Sequence, residues 1–208
     1  MQGRAFCRLI GTLGLVLLVS GCAACGRHAI SSHDDTHPRV LIATELGEIT
    51  LEVYPEKTPI TAANFLRYIK DGRFRGATFY RTVTLGNQPN NAVKIEVIQG
   101  GLGDDPDSLG LPPILHETTA QTGLLHEDGT VSMARREPGT ASSEIFICIG
   151  DQPELDFGGK RNPDGQGFAA FGKVVLGMDV VRRIQMQPAD GQVLTPEIRI
   201  TEVKSLSD

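Results

Sequence analysis

The chain has 208 residues, of which 20 are lysine or arginine and 25 are aspartate or glutamate, so its formal net charge is −5. This length corresponds to one domain of ordinary size. The sequence contains no cluster of basic residues interleaved with aromatic ones, and it therefore lacks the electrostatic footprint of a nucleic-acid-binding protein.

Residues 1–21 have the composition of an export signal. Arg4 and Arg8 precede an apolar run over 9–19, which is too short to cross a bilayer as a helix of about 20 residues. Small residues then lead to Cys22, in a pattern similar to the lipobox of bacterial lipoproteins. We predict a lipoprotein-type signal peptide over 1–21, lipidation at Cys22 and membrane contact through N-terminal acyl chains. An ordinary cleaved signal with an incidental cysteine is the alternative.

Residues 22–38 are polar and poor in apolar side chains, which predicts a flexible tether. The tether holds His28, His33 and His37, but no cysteine or carboxylate pattern accompanies them, and we predict no metal site. Cys148 lies in an apolar stretch and is predicted to be a buried small side chain, neither a nucleophile nor a disulfide partner.

From residue 39 onward, short strands are interrupted by two helices. Thr58-Pro59 predicts the start of the first helix, with a hydroxyl cap and a proline at the first helical position, and Gly72 predicts its end. Strands are predicted over 40–42, 49–53, 78–84, 93–98, 130–134, 145–149, 168–175 and 197–203, and a second helix carries Val180, Val181 and Ile184. This pattern predicts a mainly β domain over 39–208, a closed barrel with helices covering its ends.

Several common catalytic motifs are missing from the sequence. No Gly-x-Ser-x-Gly occurs, and the pairs His116-Glu117 and His126-Glu127 lack the second histidine of a zinc protease helix. The glycine-rich stretch 100–110 contains three aspartates that would repel phosphate. These observations argue against a hydrolase and against a phosphate-binding loop.

Four spaced segments in the centre of the chain form an ordered set. They are Phe79-Tyr80-Arg81, Gln99-Gly100-Gly101, Ser132-Met133-Ala134 and Phe146-Ile147, followed by Phe171-Gly172-Lys173-Val174 and Gly177-Met178-Asp179-Val180-Val181. Together they resemble the cyclophilin family of peptidyl-prolyl isomerases, over about Arg39 to Lys204. The resemblance implies a β-barrel capped by two α-helices, the architecture that the strand and helix pattern also predicts.

The resemblance also implies a site. Arg81 matches the family's catalytic arginine, and Gln99 matches the glutamine that positions this arginine and the substrate carbonyl. The implied substrate-binding residues are the proline-pocket residues Val97, Phe146 and Leu155, the strand segment Ala134 and Arg135, and the flanking Glu144 and Phe168.

The implied reaction suits an arginine. Rotation about the X-Pro bond has a barrier of ~18–20 kcal/mol because the C–N bond has partial double-bond character. As the amide twists, the lone pair localises on the prolyl nitrogen, and a donor aimed at that atom stabilises the twisted state selectively. Arginine is always charged and presents a rigid planar set of donors.

The chain departs from the family's pattern at several positions. Glu96 stands where an aromatic pocket wall is usual, Glu144 replaces a glutamine, Ile145 replaces an aromatic residue, and Glu154 replaces the aromatic residue associated with cyclosporin binding. The stretch 84–95 is longer than usual and is predicted to form a hairpin or loop beside the site. These changes predict a modified pocket that cyclosporin binds weakly or not at all.

Two charge contacts are expected at this site. Glu144 is expected to lie close enough to Arg81 to pair with its guanidinium. Arg135 and Arg136 stand beside the implied peptide groove and are expected to favour acidic residues ahead of the proline, unless they face solvent or pair with Glu137.

We therefore predict an exported, membrane-anchored isomerase, facing the periplasm or the cell surface, that acts on X-Pro bonds of proline-containing polypeptides. It is expected to be a monomer, to need no cofactor and to bind no nucleic acid. Two alternatives remain open: a non-catalytic proline-peptide binding module or holdase that uses the same groove, and a purely structural envelope lipoprotein. Arg81 and Gln99 favour the enzyme, whereas the altered pocket wall favours the binding module.

Overall fold

The structure, a computed structural model, describes residues 37–103 and 110–206. The predicted signal peptide, the lipidation site Cys22 and nearly all of the predicted tether lie outside the described residues. His37, which was assigned to the tether, contacts the domain: its ring packs edge-on against Tyr54, with 4.9 Å between the ring centroids.

The described residues form nine strands and three α-helices. The strands are β1 (Arg39–Thr44), β2 (Gly47–Val53), β3 (Thr78–Val83), β4 (Val97–Gly101), β5 (Thr130–Met133), β6 (Ile145–Cys148), β7 (Ala169–Leu176), β8 (Ala189–Asp190) and β9 (Val193–Ser205). The helices are α1 (Pro59–Lys70), α2 (Thr119–Thr122) and α3 (Met178–Gln185), with a 3₁₀ turn at Pro153–Leu155. None of the helices in this part of the chain is long and apolar enough to span a membrane.

Eight of these strands close into an antiparallel barrel. Their order is β1-β2-β7-β5-β6-β4-β3-β9, and β9 also pairs with β1, which closes the barrel. The two-residue strand β8 pairs with the beginning of β9. Closure leaves no long unpaired edge among the eight strands. The predicted mainly β closed barrel is confirmed.

The barrel interior is a single apolar core to which α1 and α3 contribute one face each. On β6, Ile145 and Ile147 belong to this core, whereas the alternate residues Phe146 and Cys148 belong to a second, smaller apolar cluster on the opposite face of the strand. Both faces of β6 are buried, which its uninterrupted apolar sequence allows. The second cluster forms the floor of the cavity described below.

Helix α1 begins and ends where the sequence predicts, but its cap is different. Thr58 does not cap the helix with its hydroxyl, which instead donates to the carbonyl oxygen of Tyr54 at 2.9 Å. The carboxylate of Glu117 caps the helix instead, since it accepts hydrogen bonds from the backbone N–H of Ile60 at 3.2 Å and of Thr61 at 2.7 Å. A distant acidic residue thus satisfies the unpaired donors at the positive end of the helix.

Other predicted boundaries shift by a few residues. The strand predicted over 93–98 begins only at Val97, and the stretch 84–96 is an irregular loop, not a hairpin. The last strand begins earlier than predicted, at Val193. The short helix α2 and the 3₁₀ turn were not predicted because neither is long enough to show a periodic pattern.

Candidate active site

One cavity of about 900 Å³ lies over the second apolar cluster. All nine residues predicted to be catalytic or substrate-binding line it: Arg81, Val97, Gln99, Ala134, Arg135, Glu144, Phe146, Leu155 and Phe168. The barrel brings these residues together from β3, β4 and β6 and from the segments that follow β5 and precede β7.

The floor of the cavity is an apolar recess formed by Val97, Phe146, Leu155 and Phe168. Val97, Phe146 and Leu155 are buried, and the rings of Phe146 and Phe168 meet edge to face with 5.3 Å between centroids. Such an arrangement gives a rigid apolar surface of fixed shape. A compact, uncharged ring such as the pyrrolidine of proline fits this surface chemically.

A β-bulge in β3 places two consecutive side chains at the cavity. Phe79 pairs with Gly100 and Arg81 with Gln99, so Tyr80 and Arg81 together oppose a single residue of β4. Phe79 therefore lies in the barrel core, while Tyr80 and Arg81 both line the cavity. Simple alternation would have placed Phe79 and Arg81 on the same face, and the bulge is what separates them.

The guanidinium of Arg81 is held by two side-chain amides. Its Nη1 donates to Oε1 of Gln99 at 2.7 Å, and its Nε and Nη2 both donate to Oε1 of Gln192 at 3.0 and 2.6 Å. Three of its five N–H groups are used in this way. The two that remain, one on each terminal nitrogen, have no acceptor in the part of the chain that the structure describes.

Gln192 has no motif in the sequence that marks it. It lies 111 residues after Arg81 in the chain, between β8 and β9. Its own amide nitrogen donates to the carbonyl oxygen of Asn87 at 3.2 Å, which orients its oxygen towards Arg81. Only the closure of the barrel brings this residue to the site.

The predicted pair between Glu144 and Arg81 is wrong. Glu144 Oε2 accepts a hydrogen bond from the hydroxyl of Tyr80 at 2.7 Å, and its Oε1 accepts from the backbone N–H of Gly103 at 3.0 Å. The Tyr80 hydroxyl in turn accepts from Nε2 of Gln99 at 2.7 Å. Glu144 is thus linked to Arg81 only indirectly, through Tyr80 and Gln99.

This chain of hydrogen bonds fixes which way the Gln99 amide faces. Burial, followed by the charge of Glu144, raises the pKa of Tyr80, so its hydroxyl stays protonated and donates to Glu144. The Tyr80 hydroxyl oxygen then accepts a hydrogen bond from the NH₂ group of Gln99, and the amide oxygen of Gln99 therefore faces Arg81. Burial also lowers the pKa of Arg81, but arginine remains charged at any physiological pH.

The two glycines after Gln99 leave room for this arrangement. A Cβ on Gly100 would clash with the carbonyl oxygen of Thr78, across the β3–β4 pair. A Cβ on Gly101, whose φ is 153°, would lie 2.6 Å from both carboxylate oxygens of Glu144. The Gln-Gly-Gly motif is therefore required by close approach of the neighbouring strand and of the acidic side chain.

Three of the four departures from the family's pattern do not alter the cavity. Glu96 accepts a hydrogen bond from Gln185 of α3 at 3.3 Å, and Ile95 lines the cavity instead. Ile145 lies in the barrel core. Glu154 accepts from the backbone N–H of Lys160 at 2.8 Å and is not among the cavity-lining residues. These three residues therefore do not line the cavity, and Glu144 is the one of the four that does. Weak or absent cyclosporin binding stays a prediction.

The predicted role of Arg135 in attracting acidic substrates is not supported, because its charge is already paired. Its side chain is 1% exposed, and it donates to Asp164 at 2.7 and 3.0 Å and to the carbonyl oxygen of Gly167. Its guanidinium also lies over the ring of Phe168, 5.1 Å from the centroid. Arg135 thus holds the segment 164–168 against the cavity wall, and its partner is Asp164, not Glu137.

The backbone of the neighbouring residue is also partly engaged. The N–H of Ala134 donates to the carbonyl oxygen of Glu144 at 2.8 Å. This one donor of the segment predicted to hold a peptide is therefore used within the protein.

A serine, a histidine and an aspartate lie in line behind the apolar recess. His126 bonds Asp156 through Nδ1 at 2.7 Å and Ser132 through Nε2 at 3.0 Å, and its ring stacks on Phe146. Ser132 is fully buried. No substrate can reach its hydroxyl, so this trio supports Phe146 and is not a hydrolytic triad.

The pair between Arg135 and Asp164 predicts a pH-dependent contribution to stability. The hydrogen bonds from Arg135 lower the pKa of Asp164, so this stabilisation is present above the unfolded value of about 3.9 and is lost as pH falls through the lower folded value. We expect Asp164→Asn to lower the urea midpoint at neutral pH, and we expect the difference from the wild type to shrink as pH falls below about 3.9. Asp190→Asn, at an exposed position, is the control. Equal midpoints of wild type and Asp164→Asn at neutral pH would contradict this role.

Comparison with known proteins agrees with this geometry. The chain is 34% identical over 181 residues to a peptidyl-prolyl cis-trans isomerase of Acinetobacter baylyi, an alignment that covers 86% of this chain and 88% of that protein. It is also 34% identical over 150 residues to peptidyl-prolyl cis-trans isomerase B of Escherichia coli, covering 70% of this chain and 83% of that protein.

The fold is shared with a solved structure as well. A crystal structure of a cyclophilin type peptidyl-prolyl cis-trans isomerase of Cryptosporidium parvum, determined in the presence of the dipeptide Ala-Pro, superposes with a TM-score of 0.65 at 22% identity. The match covers 82% of this chain and 99% of that one. The family model for cyclophilin type peptidyl-prolyl cis-trans isomerases matches residues 39–205. The chain belongs to the cyclophilin family of peptidyl-prolyl cis-trans isomerases.

Proposed function

We propose that Arg81 is the catalytic residue and that the apolar recess of Val97, Phe146, Leu155 and Phe168 holds the proline ring. The single observation that carries this proposal is the position of the Arg81 guanidinium beside that recess, with two N–H groups to which no described residue offers an acceptor. A proline seated in the recess would bring its nitrogen towards these donors.

The partners of Arg81 suit this role because they are neutral. A carboxylate partner would compete with the twisted amide for the guanidinium and would neutralise its positive charge. Amide oxygens orient the guanidinium while leaving its full charge available to the prolyl nitrogen. The donor matters most in the twisted state, when the nitrogen lone pair is localised, so it lowers the barrier to rotation.

The hydrogen-bonded chain through Tyr80 gives a physical role to the unusual Glu144. Glu144 holds the Tyr80 hydroxyl as a donor, and Tyr80 holds the Gln99 oxygen towards Arg81. We infer that Tyr80, Gln99 and Gln192 are positioning residues that fix the plane of the guanidinium before substrate binds.

We expect Arg81→Ala to reduce kcat/KM for an X-Pro peptide at least about tenfold, because loss of one preorganised donor typically costs ~10²–10³ in rate. Arg81→Lys should restore little activity, since an ammonium cannot reproduce the planar pair of donors. Exchange spectroscopy by NMR measures the isomerisation rate directly, and circular dichroism confirms folding.

Arg67→Ala is the matched control, because it removes the same charge from an exposed position outside the cavity. A folded Arg81→Ala variant as active as wild type would remove Arg81 from the mechanism. Absence of any isomerisation by the wild type would favour the alternative of a non-catalytic proline-peptide binding module.

The positioning role of Tyr80 predicts a selective kinetic effect. Tyr80→Phe removes the acceptor that orients Gln99, and we expect kcat to fall about threefold to tenfold while KM changes little. Tyr54→Phe, which alters a tyrosine outside the cavity, should leave both constants unchanged. A Tyr80→Phe variant with altered KM and unaltered kcat would show that the hydroxyl contacts substrate and does not orient Arg81.

We also propose that the isomerase is exported and anchored by lipid at Cys22, where it would act on proline-containing polypeptides outside the cytoplasm. The support is the sequence of residues 1–22: a basic start, a short apolar run and small residues before the cysteine. Slow isomerisation, on the order of 10–100 s without a catalyst, limits folding in any compartment.

Cys22→Ala should leave the protein unprocessed or soluble when it is expressed in a bacterium that matures lipoproteins, whereas Cys25→Ala should still partition with membranes. Intact mass of the mature wild type is the decisive measurement. An unmodified N-terminus beyond Cys25 would exclude the anchor.

A further inference from the structure

Among the described residues, those that line the cavity carry more positive than negative charge, although the whole chain is acidic. These lining residues include Arg81, Arg135, Arg136 and Arg161 but a single carboxylate, that of Glu144. Glu144 is engaged by Tyr80 and Gly103, and the charge of Arg135 is matched by Asp164, as described above. Arg136 also has a partner. Among the described residues, the positive charge near the recess that remains without a carboxylate partner is that of Arg81 and of Arg161, and the sequence pattern did not identify Arg161.

Arg161 is held at the cavity wall by neutral groups. Its Nη1 donates to Oε1 of Gln88 at 2.9 Å and to the carbonyl oxygen of Val93 at 2.6 Å. Gln88 is itself 1% exposed and is fixed by its Nε2, which donates to the carbonyl oxygens of Thr84 and Ile95 at 2.7 Å each. The loop 84–96 thus forms a rigid support for this arginine.

Most donors of Arg161 are not used within the described residues. These two hydrogen bonds use both N–H groups of Nη1, and the N–H of Nε and the two of Nη2 have no acceptor in residues 37–103 and 110–206. No described carboxylate forms an ion pair with Arg161 or with Arg81. Burial lowers the pKa of Arg161, and the neighbouring positive charge of Arg81 lowers it further. Two partly desolvated cations therefore face the same cavity without a counter-charge from this part of the protein.

We propose that Arg161 is a specificity residue that binds the carboxylate of an aspartate or glutamate next to the proline of the substrate. A carboxylate accepts two parallel hydrogen bonds from Nε and Nη2 of an arginine, which are the donors that remain. It would also relieve the repulsion between the two guanidinium groups. This inference rests on the proposed function, because it names the polypeptides that the same site prefers.

The contacts of Glu144 indicate where an acidic side chain would be unfavourable. Glu144 is bonded to Gly103 and Tyr80, whereas Arg161 is bonded to Gln88 and Val93, so the two charges belong to different parts of the cavity wall. Charge preference should therefore depend on the side of the proline that carries the acidic residue. We expect a preference for glutamate at the peptide position that lies against Arg161, and no such preference at the position on the other side of the proline.

The test compares matched peptides by exchange spectroscopy, which avoids a coupling protease with its own charge preference. Two peptide series place Glu, Gln or Lys directly before or directly after the proline. We expect kcat/KM for Glu to exceed that for Gln by about threefold to tenfold in one series at low ionic strength, with Lys below Gln. Added salt should reduce the difference.

Arg161→Gln should abolish the Glu-to-Gln ratio in that series. Arg67→Gln makes the same change of net charge at an exposed site on α1 and should preserve the ratio. Since Arg161 also supports the loop 84–96, Arg161→Lys provides a second variant that keeps the charge, and it should retain part of the preference.

The outcomes separate this inference from the proposed function. If the wild type isomerises the Gln peptides but shows equal rates for Glu and Gln in both series, or a preference that salt does not reduce, the inference is overturned and the isomerase stands. If the folded Arg161→Gln variant still prefers Glu over Gln peptides, Arg161 does not bind the substrate carboxylate, and the inference is overturned. If no peptide is isomerised at all, the proposed function itself fails, and this inference fails with it.

Discussion

The site depends on a partly buried cation that is held only by neutral oxygens. Arg81 loses hydration as it packs beside the apolar recess, and an unpaired desolvated charge is costly. The oxygens of Gln99 and Gln192 offset part of that cost through charge-assisted hydrogen bonds without neutralising the guanidinium. The result is an oriented positive charge that retains free donors. The surrounding features of the site can be understood as the means of keeping these two amides in place.

Each amide is fixed by a different part of the barrel. Gln99 is oriented by Tyr80, which reaches the cavity because of the bulge in β3, and its neighbour Gly101 leaves space for Glu144. Gln192 enters from the opposite end of the sequence through the pairing of β9 with β3, and it is tied to the loop 84–96 through Asn87. The same closure that stabilises the barrel therefore assembles the donor. If β9 did not pair with β3, Arg81 and Gln192 would be separated although the sequence around each would be the same.

Among the described residues, the side chains that line the cavity are more basic than the acidic chain as a whole. Asp164 pairs with Arg135, and Glu144 is bound to Tyr80, so two of the nearby carboxylates are already engaged in structural roles. Arg161 is supported by a buried glutamine and is partnered by no described carboxylate. Over the short distances inside a partly desolvated cavity, such local charges outweigh the net charge of the chain, which acts through solvent and is screened by salt.

The sequence by itself determined the closed barrel, both longer helices and nine of the residues that line the cavity. Alternating apolar residues and glycine positions are local features, and the spacing of Arg81, Gln99 and Phe146 is characteristic of one family. Tertiary structure decided the contacts among these residues. The bulge that exposes Tyr80 breaks the alternation on which strand prediction rests, and the approach of Gln192 spans 111 residues. Hydrogen-bond partners across such separations are set by the closure of the sheet, which no local pattern encodes.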